Sequence, residues 1–139
     1  MSNNILITGG AGFIGSHIAE YHLQQGDKVF VVDDLSTGSL DNLSAWKTNK
    51  QLQFEKANLL TWDKLADACH WADRIYHMAA IVGMFRVLED PIGVLETNTV
   101  ACQRILQAAA SSKWPPQVLI PSSSSVYGAN TNLPHRESD

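Results

Sequence analysis

The residues best placed to do chemistry stand near the start of the chain, in Thr8-Gly9-Gly10-Ala11-Gly12-Phe13-Ile14-Gly15. They follow an apolar run, Ile5-Leu6-Ile7, and open a helical pattern that continues to about Gln25. A strand, a glycine-rich turn and a helix in that order can hold a diphosphate. One glycine lets the chain turn tightly out of the strand. A second lets the backbone approach the phosphates, and a third lets helix and strand pack closely. The start of the helix adds unpaired N–H groups and the positive end of its dipole. Two spacings, Gly10-x-Gly12-x-x-Gly15 and Gly9-x-x-Gly12-x-x-Gly15, overlap here. Without a ligand the same residues would be a plain glycine-rich turn, so a second feature has to decide.

That feature is Asp33, which follows about 20 residues later, at the end of the apolar run Lys28-Val29-Phe30-Val31-Val32. An acid at this place in a βαβ unit bonds the ribose diol of NAD. Its charge would repel the 2′-phosphate of NADP, and Asp34 adds to the repulsion. No Lys or Arg lies between Asp33 and Trp46 to hold such a phosphate. The residues therefore predict NAD over NADP; a solvated acid at a strand end is the alternative role for Asp33. The small polar loop Leu35-Ser36-Thr37-Gly38-Ser39 could wrap the adenosine. A third candidate, the serine run Ser122-Ser123-Ser124-Ser125, reads on its own equally well as a flexible polar loop.

These groups need elements to position them. The first strand covers about Asn4 to Thr8, and the first helix about Gly12 to Gln25, with Ile14, Ile18 and Leu23 toward one face and Gly26 as stop signal. His17 and His22 on this helix read as surface or cap histidines. The second strand ends at Asp33, and a short helix is expected around Leu40 to Trp46. Leu52 to Ala57 alternates as a third strand, with Asn58-Leu59 at its tip where adenine could lie. Thr61 is the expected N-cap of a helix to about Ala68. Arg74-Ile75-Tyr76-His77 is a fourth strand, followed by small residues that admit a cofactor, and Ile81 to Asp90 reads as a loop. A long helix runs from Pro91 to about Ser111, with Leu95, Asn98, Cys102, Ile105, Leu106 and Ala109 recurring near the 3.6 period. Asn98, the polar member, either bonds neighbouring loops or meets the cofactor. After Pro115-Pro116 comes a fifth strand, Gln117 to Ile120, and from Ala129 to Asp139 no periodicity is left. Alternating strands and helices predict an α/β, Rossmann-type, doubly wound parallel sheet of order 3-2-1-4-5. The ligand should lie across the carboxyl ends at the switch between strands one and four.

Composition narrows the partners. The chain has 139 residues, 45% apolar and 17% charged, with a net charge of −4 and no basic cluster, which counts against nucleic acid and anionic membrane. No apolar run approaches a membrane span, and the N-terminus lacks a signal-peptide pattern. Cys69 and Cys102 make neither a metal spacing nor a disulfide framework. Both read as packing residues, no metal is expected, and a reduced cytoplasm is the simplest home.

Taken together, Thr8-Gly9-x-x-Gly12-x-x-Gly15, Asp33, His77-Met78-Ala79-Ala80, Asn98 and Ser122 to Gly128 resemble the extended short-chain dehydrogenase/reductase family. Within it the chain looks closest to the NAD-dependent nucleotide-sugar epimerases and dehydratases, of the UDP-glucose 4-epimerase kind. The resemblance implies that Gly9, Gly12, Phe13, Ile14 and Gly15 hold the pyrophosphate of NAD. It places Asp33 on the adenosine ribose, with Asp34, Leu35, Ser36 and Gly38 around it. Asn58 and Leu59 would meet the adenine; Asp is usual where this chain has Asn58. Ala79, Ala80 and Val82 would line the inner half, where many 4-epimerases carry Lys in place of Val82, and Asn98 would stand nearby. Ser123 matches the Ser/Thr that hydrogen-bonds the substrate hydroxyl being oxidised, and Tyr127 is a motif tyrosine distinct from the base.

The family's base belongs to a Tyr-x-x-x-Lys motif. Here Tyr21, Tyr76 and Tyr127 are followed four residues on by Gln25, Ala80 and Thr131. The expectation is therefore one incomplete NAD-binding domain, residues 1–139, lacking the later strands and the nucleotide-sugar domain and inactive alone. The alternative is a free-standing NAD-binding module or sensor. Either way the fifth strand would be an apolar sheet edge, open to self-association such as a homodimer.

Overall fold

The computed structural model describes residues 2–129 and 133–138. Of the aperiodic tail beyond Ala129, residues 130–132 and 139 lie outside the described residues. The chain alternates strand and helix: β1 (Asn4–Thr8), α1 (Phe13–Gln24), β2 (Lys28–Asp33), β3 (Leu52–Lys56), α2 (Leu65–Trp71), β4 (Arg74–His77), α3 (Met84–Glu89), α4 (Pro91–Ala110) and β5 (Gln117–Leu119). The segments Leu40–Trp46 and Ser124–Tyr127 are 3₁₀ helices.

The strands form one five-stranded sheet in the order β3-β2-β1-β4-β5, the predicted one, and every pairing is parallel. A parallel sheet is covered on both faces, so the middle of β1 and of β2 is continuously apolar. Ile5 and Ile7 point to the α1 side, with Ala19, Leu23, Val29 and Val31. Leu6 points to the other side, with Phe30, Trp62, Leu65, Cys69, Ile75 and Ile105. Thr8 lies in register with Val32 on one side and His77 on the other, so three strand tips end level at one edge of the sheet. The positive φ of Gly26, 78°, ends α1 as expected.

Four local expectations are corrected. Thr61 caps nothing: α2 begins at Leu65 behind Lys64, and the Thr61 hydroxyl turns back to the Asn58 carbonyl at 3.5 Å. The segment Ile81 to Asp90 is not all loop, since Met84–Glu89 forms α3. That helix is under two turns long and buries no residue, so it leaves no amphipathic signature. On α4 the buried residues are Ala101, Ile105 and Ala109, while Leu95 is 64% and Leu106 44% exposed. Ala101 and Ala109 let α4 approach its neighbours around the buried Ile105, while Leu95 and Leu106 project outward. On α1, Ile14 is exposed, and His22 is neither surface nor cap but buried. His22 Nδ1 lies 2.8 Å from Asp27 Oδ2 and its Nε2 3.1 Å from the Tyr76 hydroxyl. Burial works to raise the Asp27 carboxyl, but the Asn3 amide and His22 bonds outweigh it and hold the carboxyl below its ordinary value. Cys69 is a packing residue, its thiol pushed up to about 11 by burial. Among the described residues no helix is long and apolar enough to cross a membrane, and no group of His, Cys, Asp or Glu could hold a metal.

Candidate functional site

A cleft runs along the carboxyl ends of the strands in two lobes, of about 190 and 630 Å³. The lobes meet at Gly9, Gly12, Met78, Ala79 and Ala80, where the turn after β1 faces the segment after β4. The meeting point is narrow because the backbones nearly touch. Gly9 has φ of 69°, and a Cβ there would lie 2.5 Å from the Ala79 nitrogen. Gly15 sits equally close to the preceding turn: its Cβ would fall on the Gly9 carbonyl oxygen and 2.7 Å from Gly10 Cα. Gly12 is the open one, with only the Gly9 oxygen nearby, at 3.2 Å. It also serves as N-cap of α1, which has no side-chain cap. The first N–H groups of α1 are thus left for a ligand at the junction of the lobes.

The smaller lobe is lined by Asp33, Asp34, Ser36, Asn58 and Leu59. Asp33 is only 8% exposed. Its Oδ2 accepts from the Ala11 amide at 2.9 Å and its Oδ1 from the Leu35 amide at 2.8 Å. The carboxylate therefore fixes the glycine turn and the following loop, while each oxygen keeps a lone pair for a diol. Asp34 accepts from the Ser36 amide at 2.8 Å, which shapes the same loop. The Asn58 Oδ1 accepts from the Leu60 amide at 2.9 Å, so the side chain is oriented by its own turn.

The larger lobe is lined by Phe13, Ile14, Gly15, Val82, Asn98 and Ser123, with His77, Ile120 and Val126 among its other walls. Asn98 Oδ1 accepts from the Ile81 amide at 2.8 Å and its Nδ2 donates to the Ile81 carbonyl at 2.9 Å. Of its two candidate roles, the loop clamp is the one its side chain performs. His77 Nδ1 is 2.7 Å from the Thr8 hydroxyl, and burial draws the imidazole below its ordinary value, toward the neutral form. Ser123 caps the 3₁₀ helix Ser124–Tyr127: its Oγ accepts from the Ser125 amide at 3.2 Å and donates to the Ser125 hydroxyl at 3.1 Å.

The structure thus brings fourteen of the sixteen expected cofactor residues, and Ser123, to one cleft. Leu35 and Gly38 do not line it. Leu35 packs on the α1-side core with φ of 63°, and Gly38 lies against Ala11, where a Cβ would meet its carbonyl carbon at 2.9 Å. Both brace the loop from behind. Sequence reasoning missed Arg86, Thr97 and Ala101 in the smaller lobe. Arg86 was within reach as the sole Lys or Arg between Arg74 and Arg104, but it lies far along the chain from Asp33.

A two-lobed cleft at the switch point of a parallel sheet, with its glycine turn at the waist and an acid on one side, defines a Rossmann dinucleotide-binding domain. Residues 5–139 match the model of the NAD dependent epimerase/dehydratase family, and the chain belongs to that family. It is 35% identical over 131 residues to a UDP-N-acetyl-alpha-D-glucosaminuronate decarboxylase of Bacillus cytotoxicus, covering 94% of this chain and 40% of that one. It is 32% identical over 133 residues to a UDP-glucose 4-epimerase of Mycolicibacterium smegmatis, covering 95% and 42%. Among solved structures, a UDP-N-acetylglucosamine 4-epimerase from Methanobrevibacter ruminantium in complex with UDP-N-acetylmuramic acid superposes with a TM-score of 0.89 at 33% identity, over 99% of this chain and 43% of that one. A UDP-glucose 4-epimerase from Brucella ovis in complex with NAD gives 0.84 at 30%, over 99% and 41%. The chain thus corresponds to well under half the length of the relatives it matches. The relatives include decarboxylases, a chemistry that the expectation of epimerase or dehydratase did not contain.

Proposed function

We propose that this chain is the NAD-binding portion of a nucleotide-sugar enzyme that moves a hydride between a sugar ring carbon and NAD. The observation that carries the reading is the waist of the cleft, where Gly12 and the uncapped start of α1 face the meeting point of two lobes. The residues fit a dinucleotide. Asp33 would take the adenosine ribose, Asn58 and Leu59 the adenine, and Gly9, Gly12 and the first amides of α1 the diphosphate. Bound NAD would supply the hydride acceptor. The larger lobe, with its apolar walls Phe13, Ile14, Val82 and Ile120, would exclude water from the nicotinamide end. The Ser123 hydroxyl, released from Ser125, would orient a sugar hydroxyl.

The sugar substrate is proposed as a UDP-sugar, the class on which the relatives act by name. These residues alone are proposed not to turn it over, because none of the chain's tyrosines heads a Tyr-x-x-x-Lys motif and Tyr76 is spent on His22. Loss of a general base commonly costs about 10²–10⁴-fold. Titration calorimetry with NAD and NADP tests the reading. Binding of NAD, with NADP much weaker, supports it, and absence of NAD binding overturns it. Turnover of a UDP-sugar by this chain at rates near those of a complete epimerase would overturn the proposed inactivity. The alternative, a binding module without catalysis, is favoured by one feature: both lobes are walled by this chain's own residues. The exposed Leu119 and Ile120 at the β5 edge support self-association, which light scattering would register as a dimer.

A further inference from the structure

Resting on the reading that the smaller lobe takes the adenosine half of a dinucleotide, we infer that Arg104 is a positioning residue for the adenine. It holds the wall against which the base packs. Arg104 lies on α4 outside both lobes. Its guanidinium donates from Nη1 to the Leu59 carbonyl and from Nη2 to the Trp62 carbonyl, the latter at 3.1 Å. A planar fork on two carbonyls of one turn fixes that turn in position and orientation, which a single-point donor cannot do. Leu59 and its neighbours Asn58 and Leu60 line the smaller lobe.

The other bonds on this turn are local. Asn58 Oδ1 takes the Leu60 amide, the Asn58 carbonyl takes the Trp62 amide at 2.9 Å, and Glu55 takes the Trp62 indole N–H at 2.9 Å. They give the turn its shape but do not set its distance from the opposite wall. That distance is set through α4. One and two turns before Arg104, Ala101 and Thr97 line the same lobe. On the far side Asn98 holds both backbone groups of Ile81, which lines the lobe as well. One rigid helix therefore grips both walls, and Arg104 is its grip on the adenine side.

The test uses the full chain with Arg104→Met, which keeps an apolar stem but no donors, and Arg104→Lys, which keeps the charge but not the fork. Binding of NAD and of nicotinamide guanine dinucleotide, whose base has an oxo group in place of adenine's amino group and an amino group at C2, is measured by calorimetry well below each variant's melting temperature. The expected result for Arg104→Met is NAD affinity lower by about tenfold, with the preference for NAD over the guanine dinucleotide narrowed, because a loosened wall admits the larger base. Arg104→Lys should fall between. A lower melting temperature with unchanged NAD affinity and unchanged preference would reduce Arg104 to a staple of the fold and overturn the inference. Should Arg104→Met fail to fold, Arg104→Lys decides alone, and wild-type affinity and preference there overturn it. Wild-type protein that binds no NAD would bring down the parent reading and this one together. Wild type and variants that bind NAD equally would bring down only this one.

Discussion

Substituting Gly12 and Gly15 by alanine, one at a time, should separate ligand binding from folding within a single turn. Gly12 has φ −77° and ψ 175°, an extended conformation that alanine adopts freely. Its Cβ would meet only the Gly9 oxygen, at 3.2 Å. The slight crowding is offset by the lower entropy of the unfolded chain, worth about 0.4–1 kcal/mol for Gly→Ala. Stability should therefore stay within about 1 kcal/mol of wild type. Gly15 is different, because its Cβ would fall on the Gly9 carbonyl oxygen, 2.7 Å from Gly10 Cα and 3.0 Å from the Gly9 carbonyl carbon. All three are backbone atoms, so no rotamer change relieves the clash, and overpacking of this kind costs roughly 1–3 kcal/mol. At about 4 °C per kcal/mol the melting temperature should drop by about 4–12 °C.

Binding should respond in the opposite order. The methyl added by Gly12→Ala would stand at the waist of the cleft, where the proposed diphosphate would pass closest to the backbone. A displaced phosphate gives up at least one charge-assisted hydrogen bond, about 1.5–3 kcal/mol, which is an affinity loss of roughly 10–100-fold. Thermal unfolding paired with NAD titration reads both quantities. Gly12→Ala that binds NAD within a factor of about two of wild type would refute the placement of the diphosphate. Gly15→Ala that melts no lower than Gly12→Ala would refute the assignment of Gly15 to helix–strand packing.

Asp33→Asn removes the charge from a carboxylate that accepts two backbone amides, so it should cost roughly 2 kcal/mol of stability and weaken NAD more than NADP. An unchanged NAD to NADP ratio in parallel titrations would leave Asp33 as a loop brace only. Asp27 has a native carboxyl below its unfolded value near 3.8, so its stabilisation is complete above that value and lost as pH falls through the native one. Asp27→Asn should flatten the acid limb of denaturant-derived stability against pH, and an unchanged limb would contradict the His22–Asp27 clamp. His77 is drawn below its ordinary 6.5 by burial, so the unfolded chain binds its proton first; this stabilisation is complete above 6.5 and fades as pH falls below it. His77→Gln should reduce the slope of stability just below pH 6.5, and a slope equal to wild type would show that burial does not shift the imidazole on folding.

What could be read from the chain in advance, and what could not, follows from the range of the interactions involved. The first two strands and the glycine turn rest on neighbours in sequence: Ile5 to Gly15 and Lys28 to Asp33 carry their own periodicity and turn chemistry. So does the start of α4, where Pro91 opens the helix and Asp90 accepts from the Gly93 amide at 3.0 Å. The buried face of α4 was read correctly at Ile105 and Ala109 and misjudged at Leu95 and Leu106, because hydrophobic size is a poor guide where close approach is needed. Ala101 and Ala109 are buried while Leu95 and Leu106 face outward. His22 was misread because its partners Asp27 and Tyr76 reach it only after β2 and β4 have been placed. Leu35 and Gly38 were assigned to the ligand by position in the loop, yet a loop wrapped around a cofactor must also be braced from behind, and those residues supply the bracing.

Arg86 and Arg104 show the same limit at the site itself. Both come from the helices after β4, about 50 and 70 residues beyond Asp33, and reach the smaller lobe only because β4 crosses over to lie beside β1. One stands in the lobe, the other behind its wall. A search for cations near Asp33 in sequence cannot find either. The crossover that creates the cleft is also what delivers its distant half. On the proposed reading, cofactor preference in this chain should depend on residues from both sides of the switch point, and a substitution on α4 should change it as surely as one beside Asp33.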